Sequence, residues 1–258
     1  MLDYNSRSPA ADRLNAAIDA ALVARDGATP PRGYLGGSRL GHACERALQF
    51  EFAHAPKDDG AGFDGRTLRI FGIGHALEDI AVEWLRAAGF DLHTRRASDD
   101  GEGEGHQFGF SVAGGRIRGH VDGVIASGPD IPGMAFPALW ECKTMNAKSW
   151  RDTASKGVAA SKPIYAAQIA VYQAYMDGSV PGVADHPALF TAINKDTAEL
   201  HHELVPFDAA LAQRMSDRAV RILQATDAGD LLPRVAVQPD FHECRFCPWA
   251  RRCWRLPA

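Results

Sequence analysis

Leu139-Trp140-Glu141-Cys142-Lys143-Thr144 reads as a β-strand, and the rest of the chain is ordered around it. Side chains alternate between the two faces of a strand. Leu139, Glu141 and Lys143 therefore share one face, and Trp140, Cys142 and Thr144 share the other. A carboxylate and an ammonium are held side by side on rigid backbone, an arrangement that suits a divalent cation and a polarised water. An E-x-K pair is equally an ordinary ion pair on an exposed strand. Its neighbours in the sequence have to decide between the two.

A second carboxylate lies upstream in Gly119-His120-Val121-Asp122-Gly123-Val124-Ile125. Val121, Val124 and Ile125 make this stretch strand-like, whereas the Gly after Asp122 also fits a turn aspartate. Eighteen residues separate Asp122 from Glu141. Two neighbouring strands would bring both acids within reach of one ion. His120 falls on the face of Asp122.

The pattern on either side is regular. Leu14, Ile18 and Leu22 mark an amphipathic helix over 10–25. Residues 26–37, with Pro30-Pro31 and Gly36-Gly37, form a loop. Ser38 is placed to cap a helix over 39–53, and the Gly- and Asp-rich 54–66 is a loop. A helix over 72–88 has Ile73, Leu77, Ile80 and Trp84 as its apolar stripe, with His75 and Glu78 as neighbours three apart, and Gly89 closes it. Strands are expected over 90–96, 106–112, 116–126 and 137–144, with a solvated turn at 98–105 and a proline-rich connection over 128–137. A helix over 164–176, strands over 188–194 and 199–206, a helix over 208–226 and a proline-punctuated tail from Leu231 complete the chain. Helices, strands, helix, strands, helix is the order of a mixed α/β domain with helices flanking a central sheet.

The 258 residues form one domain: an N-terminal helical segment (1–66), a core (67–230) and a tail (231–258). A hydrophobic content of 46% and a charged content of 23% suit an ordinary globular protein. The net charge of −4 argues against a general coat for polyanions but leaves room for a basic groove. Carboxylates that hold cations inflate the negative count. No stretch approaches the roughly 20 apolar residues of a membrane span, and Met1-Leu2-Asp3-Tyr4-Asn5 has no basic region followed by an apolar run. No membrane partner and an intracellular site are expected.

Five cysteines, in a reducing compartment, point to metal rather than disulfides. Cys244, Cys247 and Cys253 read C-x2-C-x5-C, and Cys44, 200 positions earlier, is the candidate fourth ligand. Four thiolates suit a 4Fe–4S cluster or tetrahedral zinc, and spacing alone does not separate them. Cys142 faces away from Glu141 and reads as a small buried hydrophobe, its backbone carbonyl lying between Glu141 and Lys143. Around the tail cysteines, Arg245, Arg251, Arg252 and Arg255 interleave with Phe246, Trp249 and Trp254, a mixture able to grip phosphates and stack on bases. Lys148, Lys156, Lys162 and Lys195 are candidates to line a groove.

Asp122, Glu141-Cys142-Lys143 and, on the helix that follows, Gln168-Ile169-Ala170-Val171-Tyr172 together resemble the D…E-x-K and Q-x-x-x-Y elements of the PD-(D/E)XK nuclease superfamily, RecB-like exonuclease branch. The signature proline before the aspartate is replaced here by Val121. His75 matches the branch's upstream metal-binding histidine. Cys44-Glu45-Arg46 with the three tail cysteines is similar to the iron–sulfur members, such as AddB and the CRISPR-associated exonucleases. The stretch from Glu141 to Asn194-Lys195-Asp196 is similar to bacteriophage-encoded members. The resemblance runs from about Ser38 to Cys253.

It implies a restriction-endonuclease-like core whose ends are joined by a 4Fe–4S cluster, with Zn²⁺ as the alternative. It implies Mg²⁺ or Mn²⁺ held by His75, Asp122, Glu141 and the Cys142 carbonyl, with Lys143 at the transition state and Gln168 and Tyr172 as positioning groups. The activity would be exonucleolytic hydrolysis of DNA from a single-stranded end, leaving a 5′-phosphate, with Trp249, Arg251 and Arg252 on the DNA. The setting would be recombination or repair in the cytoplasm of a bacterial or virus-infected bacterial cell, with a recombination or annealing protein as partner and an oligomer as one arrangement. The alternative from another class is a non-catalytic DNA-binding or assembly subunit.

Overall fold

The computed structural model describes residues 8–97 and 104–257. The expected turn at 98–105 lies mostly outside them, as do Met1 to Asn5. Ser8 caps the first helix, α1 (Pro9–Ala28), its Oγ accepting a hydrogen bond from the Ala11 N–H at 3.1 Å. The apolar stripe is present, but it faces solvent: no residue of α1 is buried, and Leu14 is 65% exposed. The helix touches the molecule through Asp19, which pairs with Arg69.

The helix expected over 39–53 is split. A short strand, β1 (Leu35–Gly36), runs into a 3-10 turn at Gly37–Arg39, and α2 (Glu45–Phe52) begins after Cys44. Ser38 is inside the turn and caps nothing. Gly41 lies in the break, where a Cβ would lie 2.8 Å from the Ile164 Cα, so the chain passes flush against another helix. The 40–43 segment is then tied by Arg218, which donates to the Leu40 and Ala43 carbonyls at 2.9 and 3.1 Å.

The next helix, α3 (Gly65–Ala87), starts earlier than expected because Asp64 caps it, accepting from the Thr67 N–H at 2.7 Å. Its buried face is Ala81 and Val82, with Leu77 and Leu85 half-buried. Ile73, Ile80 and Trp84 are exposed. The expected stripe is thus rotated around the helix and shares only Leu77 with the packed face.

Six strands follow: β2 (Asp91–His93), β3 (Arg95–Ala97), β4 (Glu104–Gln107), β5 (Gly109–Val112), β6 (Ile117–His120) and β7 (Gly123–Ser127), before β8 (Ala138–Met145). The single strand expected over 116–126 breaks at Val121–Asp122, because β6 and β7 belong to different sheets. After β8 come two helices that the sequence pattern did not reveal, α4 (Ala147–Lys156) and α5 (Val158–Ser161), then α6 (Pro163–Met176), β9 (Ala188–Asn194), β10 (Leu200–Val205) and α7 (Ala209–Ala228). The tail adds α8 (His242–Arg245) and α9 (Ala250–Arg255).

The main sheet has the order β10-β9-β8-β7-β2. β8 and β9 are parallel and the other neighbours antiparallel, so the sheet is mixed. A smaller sheet, β1-β6-β5, lies beside it. The alternation read in β8 decides the layers. Leu139 packs with Val124, Phe190, Ile169 and Ile222 on the α6–α7 side. Trp140 and Cys142 pack with Ile125, Leu189, Ala81 and Val82 on the α3 side. Each such apolar side chain contributes about 1.5–3 kcal/mol by leaving water.

Direct hydrogen bonds tie α2 to the tail. Gln49 on α2 donates to the Asp230 carbonyl at 2.6 Å and accepts from the Leu232 N–H at 2.9 Å. Arg46, fully buried, donates to the Leu232 and Pro257 carbonyls and to the Cys253 sulfur. These bonds satisfy backbone groups of an irregular tail that has no sheet partner.

Candidate active site

Asp122 sits in the break between β6 and β7, where the chain crosses from one sheet to the other. Its Oδ2 accepts a hydrogen bond from the Cys142 N–H at 2.8 Å, which pins the carboxylate beside β8. Glu141 projects from β8 toward α6, and its side chain is fully buried. Its Oε1 accepts from Gln168 Nε2 at 2.6 Å and pairs with Lys143. Its Oε2 is buried without a partner. The Lys143 Nζ also donates to the Cys142 carbonyl at 3.1 Å and lies 3.7 Å from Asp122 Oδ2. The Tyr165 ring covers it at 5.5 Å.

Cys142 packs on the α3 side as expected, and its backbone carbonyl faces Lys143. Gln168 touches Glu141 directly rather than Lys143. Tyr172, one turn on, is buried against Phe110 at 5.5 Å between ring centroids, with Ser38 as the hydrogen-bond partner of its hydroxyl. Burial, and then the charge of Glu141, raise that hydroxyl's pKa, so it stays protonated.

From α3 the structure brings a residue that the sequence leaves undecided. Glu78 feels the charges of Asp122 and Lys143, whereas His75 is exposed. The three-residue spacing of the two marks them as neighbours. Which of them points inward depends on the rotation of the helix, and that differs from the one the apolar stripe implies. Nothing in the sequence marks Tyr165 as an aromatic cover for Lys143. His120 is exposed at the end of β6.

Asp122 and Glu141 therefore flank one ammonium, and the charge of Glu78 on α3 adds to theirs. Burial first, and then the Asp122 charge, push Glu141 up to about 8 and Glu78 up to about 7. For Lys143, burial acts downward, but the charges of Glu141 and Asp122 outweigh it and hold the ammonium above its ordinary value. Among the described residues no three His, Cys, Asp or Glu side chains converge on one point. Here the Lys143 ammonium lies among the oxygens. The donor set nonetheless fits a hard divalent cation: carboxylates and a carbonyl, one carboxylate oxygen buried and unpartnered, and excess negative charge.

Stability in the absence of metal should consequently depend on pH. Glu78 and Glu141 bind protons more tightly in the folded protein than at their ordinary value of 4.5. The folded state gains from this at low pH and loses it as pH rises from about 4.5 to about 8. Lys143 stays charged throughout that window. The Tm in EDTA should fall across the window, and Mn²⁺ should raise it more at about pH 8 than at about pH 5. A Glu141→Gln variant with the same slope as the wild type would refute this assignment.

The four cysteines share a cavity, but among the described residues no three of them converge on one ion's position. Cys44, Cys244, Cys247 and Cys253 are free thiols lining one cavity of about 20 Å³, walled by Ala47, Phe50 and Ala250. Burial pushes the Cys247 thiol up. Arg46 Nη2 and Arg234 Nε, which belong to side chains on or beside this cavity, are buried donors without an acceptor. Thiols facing unsatisfied guanidinium groups fit an anionic thiolate–metal centre.

The tail's aromatics are arranged differently from expectation. Trp249 is only 5% exposed, packs on Phe50 at 6.2 Å, and donates from its indole to the Ala55 carbonyl at 2.8 Å. It is a core residue and presents no face for a base. Trp249→Ala should cost about 3–5 kcal/mol of stability, measured by denaturant unfolding. Phe246, at 88% exposure, is the tail ring open to solvent. Arg251 and Arg252 are exposed. Of the candidate groove lysines, Lys156 and Lys162 both pair with Asp152.

No protein-family model matches the chain, and no curated protein matches it. Among the described residues no helix is long and apolar enough to cross a membrane. Solved structures with a similar course of the chain include an alkaline exonuclease, LHK-Exo, from Laribacter hongkongensis. It is 15% identical, with 83% of this chain and 93% of that one covered and a TM-score of 0.47. The same protein in complex with dAMP gives 14% identity, the same coverage and a TM-score of 0.49. The protein SSO0001 is 13% identical, with 95% of this chain and 98% of that one covered, at a TM-score of 0.48.

Proposed function

We propose that the chain is a Mg²⁺- or Mn²⁺-dependent deoxyribonuclease, working as an exonuclease in recombination or repair and carrying a 4Fe–4S cluster at its four cysteines. The observation that supports it most is the meeting of Asp122, Glu141 and Lys143 beside a buried, unpartnered carboxylate oxygen. Asp122, Glu141 and the Cys142 carbonyl would hold the cation, with Glu78 rather than His75 as the contribution of α3. When bound, the cation lowers the pKa of a water and neutralises charge on the scissile phosphate. Gln168 fixes the plane of the Glu141 carboxylate through its amide. Lys143, kept charged by its two acidic neighbours, orients the attacking water or stabilises the extra negative charge of the pentavalent phosphorus. In-line attack leaves a 5′-phosphate. Tyr165 covers the ammonium, and Tyr172 packs α6 onto Phe110 of β5.

End-labelled single- and double-stranded DNA, incubated with Mn²⁺ and with EDTA, tests the reading. Cleavage in Mn²⁺ alone is expected, and no cleavage of any DNA would reject it. The exonuclease part rests on the sequence resemblance. It predicts that a linearised plasmid is degraded while the same plasmid, covalently closed, is spared. Equal rates would make the enzyme an endonuclease and leave the metal chemistry standing.

A further inference from the structure

We infer that the chain has a second nucleic-acid contact outside the catalytic site, a cleft that grips backbone phosphates. The cleft has a volume of about 360 Å³ and is lined by Lys57, Asp58, Asp59, Arg251, Arg252 and Arg255, with Pro56 and Leu256 at its edge. Four cations face two carboxylates in a chain whose net charge is −4. The carboxylates offset only half of that charge. Asp58 is occupied by the backbone, accepting from the Arg251 N–H at 2.6 Å and the Arg252 N–H at 3.0 Å. The Arg251 guanidinium donates to the Asp59 carbonyl at 3.0 Å, which fixes the loop but adds no counter-charge. Among the described residues none of the four cations pairs with a carboxylate.

Asp58 thus fixes the backbone of the arginines while their guanidinium groups stay free of direct carboxylate pairing. Planar guanidinium groups bind phosphate oxygens two at a time, which a lone surface lysine does not. Phosphodiester phosphate is the anion that fits, and the proposal rests on the nuclease reading for that identity. The loop that carries Lys57 runs into the first turn of α3. Along α3 that turn is about 20 Å from Glu78. The cleft is built from the tail and the loop facing it, and the catalytic residues from β8, α6 and the β6–β7 break, so the cleft holds polymer beyond the nucleotides being cut.

The test is binding of a fluorescein-labelled long single strand and of a labelled tetranucleotide, by anisotropy, in EDTA over a range of salt. Lys57→Gln/Arg252→Gln/Arg255→Gln removes three exposed charges and leaves Arg251 to hold the loop. The triple variant should bind the long strand about tenfold more weakly at low salt. Its slope of log affinity against log salt should be shallower by about 0.7 for each phosphate that is no longer neutralised. The tetranucleotide should bind as before. Arg13→Gln/Arg25→Gln/Arg214→Gln removes as many charges elsewhere and should change nothing. Wild-type affinity and slope in the cleft variant, an equal weakening in the control, or no nucleic-acid binding by the wild type would each overturn the proposal. Binding is read without turnover, so its failure is separate from a failure of the wild type to cleave.

Discussion

Glu141→Gln should lower DNA cleavage at least about a thousandfold and, in the metal-free protein near pH 8, raise stability. The two effects have one cause. Glu141 is fully buried beside Asp122, and its carboxylate carries an oxygen with no partner. Charge there costs folding free energy and is kept for what it does to a cation and a phosphate. The amide retains the shape and removes the charge. Opposite movements of activity and Tm distinguish a catalytic acid from a structural one, which would lose both. Asp122→Asn should lose activity to a similar degree, and both should weaken Mn²⁺ binding. Lys143→Met should also abolish cleavage but spare Mn²⁺ binding, because the ammonium competes for the same oxygens: Glu141 Oε1, Cys142 O at 3.1 Å and Asp122 Oδ2 at 3.7 Å. Normal cleavage by Lys143→Met would sink the mechanism.

Cys44→Ser should lose bound metal as completely as Cys247→Ser. Protein purified without oxygen should be brown, with about four irons and four sulfides per chain. A thiolate–metal centre contributes its binding free energy to folding, about 10 kcal/mol or more for structural zinc, so either substitution should lower Tm sharply. The loss should centre on the tail rather than the sheet. Gln49, Arg46 and Trp249 still tie the tail to α2 and the loop after it, and hydrogen exchange should show protection falling first after Leu231. Stoichiometric zinc without iron in the anaerobic protein would select the zinc alternative. Metal retained by Cys44→Ser would remove Cys44 from the ligand set.

The sequence by itself determined the strand at the centre, because period-two alternation is local: Leu139 and Trp140 did go to opposite layers, and Glu141 and Lys143 did share a face. Resemblance to a known family, rather than spacing, singled out Gln168, which meets Glu141, and Cys44, which shares a cavity with the tail cysteines. Three things were decided only in the tertiary structure. The rotation of α3 was one: a helix with apolar residues on several sides has no unique buried stripe until a sheet is set against it, and the choice put Glu78 inward and His75 outward. The position of Asp122 was another, because a break between two sheets is written in pairing partners far along the chain, not in the residues around it. The third was the fate of Trp249. A ring beside arginines is the same in sequence whether it meets a base or Phe50, and only the docking of the tail on α2 fixed which side of it water could reach.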